Sequence, residues 1–141
     1  IRLDAPTAEL TEAFRQLIRT HGVDVVLDYL WGSPAESFLS AASTHAAGEA
    51  APRIRYVNIG SMADISLALP AGQLRGSGLE LMGSGLGSVS NAELVRIVGQ
   101  LLRAVRPAGL RVDALPLPLS EVEAAWSQSS TERIVLTMGG A

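Results

Sequence analysis

Residues 56–94 read YVNIGSMADISLALPAGQLRGSGLELMGSGLGSVSNAEL. A short apolar strand ends here in Ile59-Gly60-Ser61, and a polar crossing with Pro70 and Gly72 follows. A second strand, Leu79 to Met82, then runs into the turn Gly83-Ser84-Gly85-Leu86-Gly87. Strand ends that open onto glycine and serine are where α/β proteins hold nucleotides and other small ligands.

Upstream of this stretch, Val23 to Trp31 (VDVVLDYLW) is dense in β-branched and aromatic residues. Its unbroken apolar run predicts a strand covered on both faces, as in a parallel sheet. Ile54 to Ile59 is the next strand. Helices fall between. Pro6 and Thr7 open one whose Leu10, Phe14, Leu17 and Ile18 share a face, with Gly22 as its stop. Ser33-Pro34-Ala35-Glu36, Ser90-Asn91-Ala92-Glu93 and Ser120 to Glu123 read as capping boxes that start three more. Residues 44–52 (THAAGEAAP) are expected to form a surface loop. Downstream, Leu94, Ile97, Val98, Leu101, Leu102 and Val105 make one apolar stripe ended by Pro107 and Gly109. Val112 to Leu115 looks extended, Leu117 to Leu119 is expected as a connector between prolines, and Arg133 to Met138 as a closing strand. Ile1 to Leu3 has the character of a strand end. Strands alternating with helices argue for an α/β domain with a mainly parallel sheet.

Composition removes several functions. The chain has 141 residues, a net charge of −3 and no basic block, so nucleic acid is an unsuitable partner. There is no cysteine, which excludes disulfides and thiolate chemistry within the chain and is compatible with a reducing cytoplasm, the expected location. All 11 cationic side chains are arginine. Without lysine there is no Walker A phosphate binding and no Schiff-base chemistry. No apolar run reaches the length of a membrane span, and no cationic, apolar leader is visible. The chain begins at Ile1, so its natural start is expected to lie upstream or to have been removed.

The candidate residues each carry two readings. The Gly83–Gly87 turn offers backbone N–H groups to an anion, or is a flexible connection; its spacing is not G-x-G-x-x-G. Gly60 and Ser61 are a ligand-facing strand end or an ordinary turn. Asp28, late in an apolar strand, faces a cleft or accepts backbone N–H groups of the following loop. Tyr29, Leu30 and Trp31 wall a flat ring or fill the core. His21 and His45 stand without partners at metal or triad spacing. Nothing pairs Asp64 with Glu80 as acid and base. Arg133 pairs with a phosphate or is a solvated edge charge. No catalytic constellation is visible.

Taken in order, DVVLDYLWG, RIRYVNIGSM, LRGSGLELMGSG, the capped helix and VDALPLPLSEVEAAW…RIVLTM resemble the C-terminal half of the medium-chain dehydrogenase/reductase superfamily, which includes zinc alcohol dehydrogenases and quinone oxidoreductases. The resemblance spans Ile1 to Met138. It implies a partial Rossmann fold of strand order 3-2-1-4-5-6 that lacks its first two strands and its G-x-G-x-x-G turn. Ile1 to Leu3, Val23 to Trp31, Ile54 to Ile59 and Leu79 to Met82 would be strands three to six. Residues 1–111 would belong to the NAD(P)-binding domain, and residues 112–141 would return toward an absent GroES-like catalytic domain. By the same resemblance, Leu30, Trp31 and Gly32 lie beside the adenosine half of NAD or NADP. Ile59, Gly60 and Ser61 lie near the nicotinamide. Met82, Gly83 and Ser84 offer backbone groups to its carboxamide, and Arg133 approaches the pyrophosphate. Leu79 to Met82 pairs with its twin in a homodimer. The implied activity is hydride transfer to or from a carbonyl, alcohol, quinone or activated alkene, with the chain incomplete and inactive alone. A Rossmann-like methyltransferase fragment and a non-catalytic nucleotide-binding or dimerisation module are the alternatives. With its neighbours missing, the strand around Val25 to Leu27 is expected to find another pairing partner, or to meet the missing half as a separate chain.

Overall fold

The computed structural model describes residues 1–45 and 48–139. They form two compact units, Ile1–Ser90 and Asn91–Ala141.

The first unit is α/β. Helix α1 (Thr7–His21) leads into strand β1 (Val25–Asp28), helix α2 (Gly32–Ala42), strand β2 (Arg53–Asn58), the short helix α3 (Ala71–Arg75) and strand β3 (Gly78–Gly83). The sheet is parallel, in the order β1-β2-β3. In its register Val26 stands beside Tyr56 and Tyr56 beside Leu81, while Asp28 stands beside Asn58 and Asn58 beside Gly83.

The core lies on one face of this sheet. Ile54, Tyr56 and Leu79 meet Ala35, Phe38, Leu39 and Ala42 of α2, with Phe14 and Ile18 of α1 packed behind. Phe14 and Phe38 meet edge to face at 5.3 Å, and Phe38 lies 5.6 Å from Tyr56. The i, i+4, i+7, i+8 face of α1 therefore does what its spacing predicts. Gly22, at φ 73°, ends that helix by donating its N–H to the Ile18 carbonyl.

The opposite face of the sheet corrects the expectation of a strand covered on both sides. Val25 is 45% and Leu27 62% exposed, and Arg53 and Arg55 beside them are exposed as well. No described element of this unit covers them. The outer edge of β1 is also unpaired, so among the described residues the expected extra partner for Val25 to Leu27 is not present. Ile1 to Leu3 form no strand: without a neighbour, a segment this short has no ladder to join. Across β2 and β3, Arg53 pairs with Glu80 at 2.5 Å on the exposed surface.

Two capping boxes do not form. Helix α2 begins at Gly32, one residue before Ser33, and has no side-chain cap. Asp28 has already taken the N–H groups of Leu30 and Trp31, which turns the chain early. Glu36 instead accepts the Ala68 N–H at 2.6 Å and ties down the crossing loop. Ser120 falls inside a 3-10 turn, Leu119–Glu121, ahead of helix α5 (Val122–Ser127). The expected loop at 44–52 is described on both sides of residues 46 and 47, which lie outside the described residues.

The second unit holds helix α4 (Asn91–Ala104), strand β4 (Ala114–Pro118), α5 and strand β5 (Arg133–Thr137). Helix α4 starts directly after Ser90, as the second capping box places it. The proline-bracketed connector is a strand after all, paired in parallel with β5. Pro116 and Pro118 are two residues apart, so both missing N–H groups fall on one edge. Arg133 donates its N–H to Asp113 and the Thr137 hydroxyl reaches the Leu117 carbonyl, so the odd-numbered backbone groups face β5 and the prolines occupy the free edge. Among the described residues no helix is long and apolar enough to cross a membrane.

Candidate functional site: the carboxyl ends of three parallel strands

All three strands of the first unit end on the same side of the sheet, and their ends are tied together by hydrogen bonds. The Asp28 carbonyl accepts the N–H groups of Ile59 at 2.6 Å and Gly60 at 3.1 Å. The carbonyls of Tyr29 and Leu30 accept Met62 at 3.1 Å and Ala63 at 2.8 Å. The Asn58 carbonyl accepts Ser84 at 2.8 Å, and the Asn58 side-chain amide donates to the Gly60 carbonyl at 2.7 Å. One rim thus contains Leu30, Trp31 and Gly32 from the first strand end, Ile59, Gly60 and Ser61 from the second, and Met82, Gly83 and Ser84 from the third. Ser61, Met82, Gly83 and Ser84 are exposed, Leu30, Trp31, Ile59 and Gly60 half-buried, and Gly32 buried. Gly60 is required by contact: a methyl group on its Cα would lie 2.8 Å from the Tyr29 carbonyl oxygen.

Asp28 is the structural centre of the rim. Its side chain is buried at 7% exposure. Oδ1 accepts Leu30 N–H at 2.8 Å and Trp31 N–H at 3.1 Å, and Oδ2 accepts Trp31 at 3.2 Å. Of its two readings, the one as acceptor for the following loop is what the structure displays. Burial and then a hydrogen bond to this carboxylate push the Tyr56 phenol above its ordinary pKa, so it stays protonated. The next residues are strained. Trp31 has φ 60° and ψ −161°, the sole positive φ outside glycine among the described residues. Such a conformation costs about 1–3 kcal/mol for a residue with a side chain. The indole packs half-buried against the core, 6.5 Å from Tyr56.

The remaining candidates fall elsewhere. The turn after β3 closes on itself, with Ser88 Oγ both accepting from the Gly85 N–H and donating to its carbonyl. Asp64 accepts the Ser66 N–H, and Glu80 is engaged with Arg53, so the two make no acid–base pair. His21 and His45 are exposed. No group of three or more potential metal ligands converges among the described residues. Arg133 opens β5 in the second unit and is exposed. An apolar groove of about 550 Å³ runs along the free edge of β1, lined by residues that include Leu3, Leu17, Val25, Leu27 and Tyr29. Asn58 was not singled out from the sequence. Its signal was present, because an Asn two residues before a strand-end glycine is placed to bond the backbone two residues on.

No family model matches the chain. It is 30% identical over 128 residues to a protein named "Probable NADPH-dependent quinone reductase tdiC" from Emericella nidulans, a match covering 81% of this chain and 34% of that protein. Its fold is similar to the crystal structure of AibC, with a TM-score of 0.66 and 22% identity, covering 94% of this chain and 34% of that one. The chain therefore spans about a third of the length of each. The structural likeness and the parallel sheets establish a partial Rossmann-like fold. The sequence likeness supports a relationship to the reductases of the superfamily that the motifs resemble.

Proposed function

We propose that this chain is the cofactor-domain portion of an NAD(P)-dependent oxidoreductase of the quinone-reductase kind. The observation that carries this reading is the 30% identity to a quinone reductase over a segment that includes all three strand ends of the rim. In open parallel sheets, ligands bind outside the carboxyl ends of the strands. The rim fits the uncharged part of a dinucleotide: backbone groups and small side chains at Gly60, Ser61, Gly83 and Ser84, with the Asp28 charge buried. It has no basic side chain for a pyrophosphate, since Arg53 and Arg55 lie at the start of β2 and not at its end.

In this reading Ile59, Gly60 and Ser61 border the nicotinamide, and Met82, Gly83 and Ser84 offer backbone groups to its carboxamide. Leu30, Trp31 and Gly32 border the adenosine half, and Arg133 serves the pyrophosphate. The nicotinamide supplies the hydride chemistry when bound; the chain binds and orients it. The domain division at 111/112, pairing of Leu79–Met82 across a homodimer and a cytoplasmic setting belong to the same proposal. So does the expectation that this third of the enzyme turns over little substrate alone.

The test is a titration of isotopically labelled chain with NADPH, followed by amide NMR, with S-adenosylmethionine as the competing ligand. Shifts are expected at residues 59–61 and 82–84. Preference for S-adenosylmethionine, or shifts confined to other parts of the chain, would overturn the reading. Robust NADPH oxidation by the isolated chain would remove the claim that it is only a portion of the enzyme.

A further inference from the structure

Trp31 occupies a backbone conformation that glycine adopts freely and a tryptophan resists. The following residue, Gly32, is also at positive φ, 59°, and a methyl group there would lie 2.6 Å from the Asp64 side chain. These two residues turn the chain back on itself, and the turn leaves the Tyr29 and Leu30 carbonyls aimed at the N–H groups of Met62 and Ala63. The position of the Ser61 loop relative to Gly32 thus depends on the backbone at residue 31. The groups that grip that backbone are the Asp28 carboxylate oxygens, both of which accept the Trp31 N–H.

We infer that Asp28 is a positioning residue for ligand binding: its carboxylate holds Trp31 in its positive-φ conformation and so keeps the loops after β1 and β2 in register as one rim. The ligand side of this inference rests on the dinucleotide reading above; the clamp itself does not. A consequence follows from the physics of the strained residue. The grip of Asp28 on residue 31 is needed only while residue 31 carries a side chain; its bond to the Leu30 N–H is separate. With glycine at 31 the same backbone is accessible without that grip.

The experiment compares the parent chain with Asp28→Asn, Trp31→Gly and the double variant. One readout is hydrogen exchange at the Met62 and Ala63 amides, which bond across the two loops and need no ligand. The other is NADPH affinity by amide NMR. Asp28→Asn should speed exchange and weaken NADPH by about tenfold or more, the scale of one charge-assisted hydrogen bond. Trp31→Gly removes an indole packed against the core, so it serves as the reference for the double variant, which should match it within about threefold in both readouts. A double variant that exchanges as fast as Asp28→Asn would overturn the inference, because Asp28 would then act independently of residue 31. If Asp28→Asn alone does not fold, folding of the double variant is the same rescue, and its failure to fold is the same refutation. If NADPH shifts no resonance in any variant, the dinucleotide reading fails while the exchange data still decide the clamp.

Discussion

Gly60→Ala tests whether the rim is built from close backbone contact. The added methyl would lie 2.8 Å from the Tyr29 oxygen and 3.3 Å from the Tyr29 carbonyl carbon and Cα. These are backbone atoms, so no rotamer change relieves the clash. Gly60 is also held in place, with its N–H on the Asp28 carbonyl at 3.1 Å and its own carbonyl accepting from Asn58 at 2.7 Å. Either those bonds stretch or the β1 end moves. Overpacking of this kind costs about 1–3 kcal/mol. At roughly 4–8 °C per kcal/mol for a unit of this size, a central cost near 2 kcal/mol lowers Tm by about 8–16 °C. The assay is thermal unfolding followed by circular dichroism. Gly72→Ala is the control: its added methyl meets nothing within 4 Å and it lies in α3, where alanine is the better helix former. Its Tm should equal or exceed the parent's. A Gly60→Ala protein melting within about 2 °C of the parent would refute the account of the rim as close-packed backbone.

Two further predictions follow from burial. Leu39 and Leu27 are the same residue type at 0% and 62% exposure. Leu39→Ala should destabilise by about 2–5 kcal/mol and Leu27→Ala by less than about 0.5 kcal/mol, read from urea midpoints at constant slope. Tyr56 is protonated when folded, its pKa raised by burial and by Asp28. In the unfolded chain the phenol ionises near pH 10. The unfolded state then binds fewer protons, so stability is fully present below that pH and declines as pH rises above it. In a Tyr29→Phe background, phenolate absorbance should appear together with the loss of helical circular dichroism. A phenolate signal that precedes unfolding would show Tyr56 to be accessible.

Much of the fold was legible because its strands announce themselves locally. Ile54 to Ile59 and Leu79 to Met82 were expected where Arg53–Asn58 and Gly78–Gly83 form, within a residue or two. The first helix and its glycine stop were equally plain. What failed were patterns whose outcome depends on a competitor elsewhere. Ser33 and Glu36 have capping-box spacing, but Asp28 acts first and Glu36 is drawn to Ala68. Val23 to Trp31 reads as one long covered strand, yet it ends at Asp28 for the same reason, and its cover is not among the described residues. Pro116 and Pro118 suggested a connector because prolines bar a central strand. In a two-stranded sheet both can sit on the free edge.

The rim itself follows from two side chains that neighbour each other in the sheet register, Asp28 on β1 and Asn58 on β2. Each ends its strand by bonding the backbone two residues ahead: Asp28 accepts the Leu30 N–H, and Asn58 donates to the Gly60 carbonyl. The two use opposite polarity, and both bonds are made inside the protein rather than to solvent. The sequence shows an Asp and an Asn four residues before a glycine and two residues before one, respectively, which is a turn signal and nothing more. Only the parallel register makes it a rim, by bringing the two turns side by side so that the carbonyls of one loop meet the N–H groups of the other. The consequence is a rim that is preformed and carries no exposed charge from either residue. On the proposed dinucleotide reading, such a rim suits a reduced, uncharged nicotinamide better than phosphates, and that reading therefore requires phosphate contacts from residues outside it.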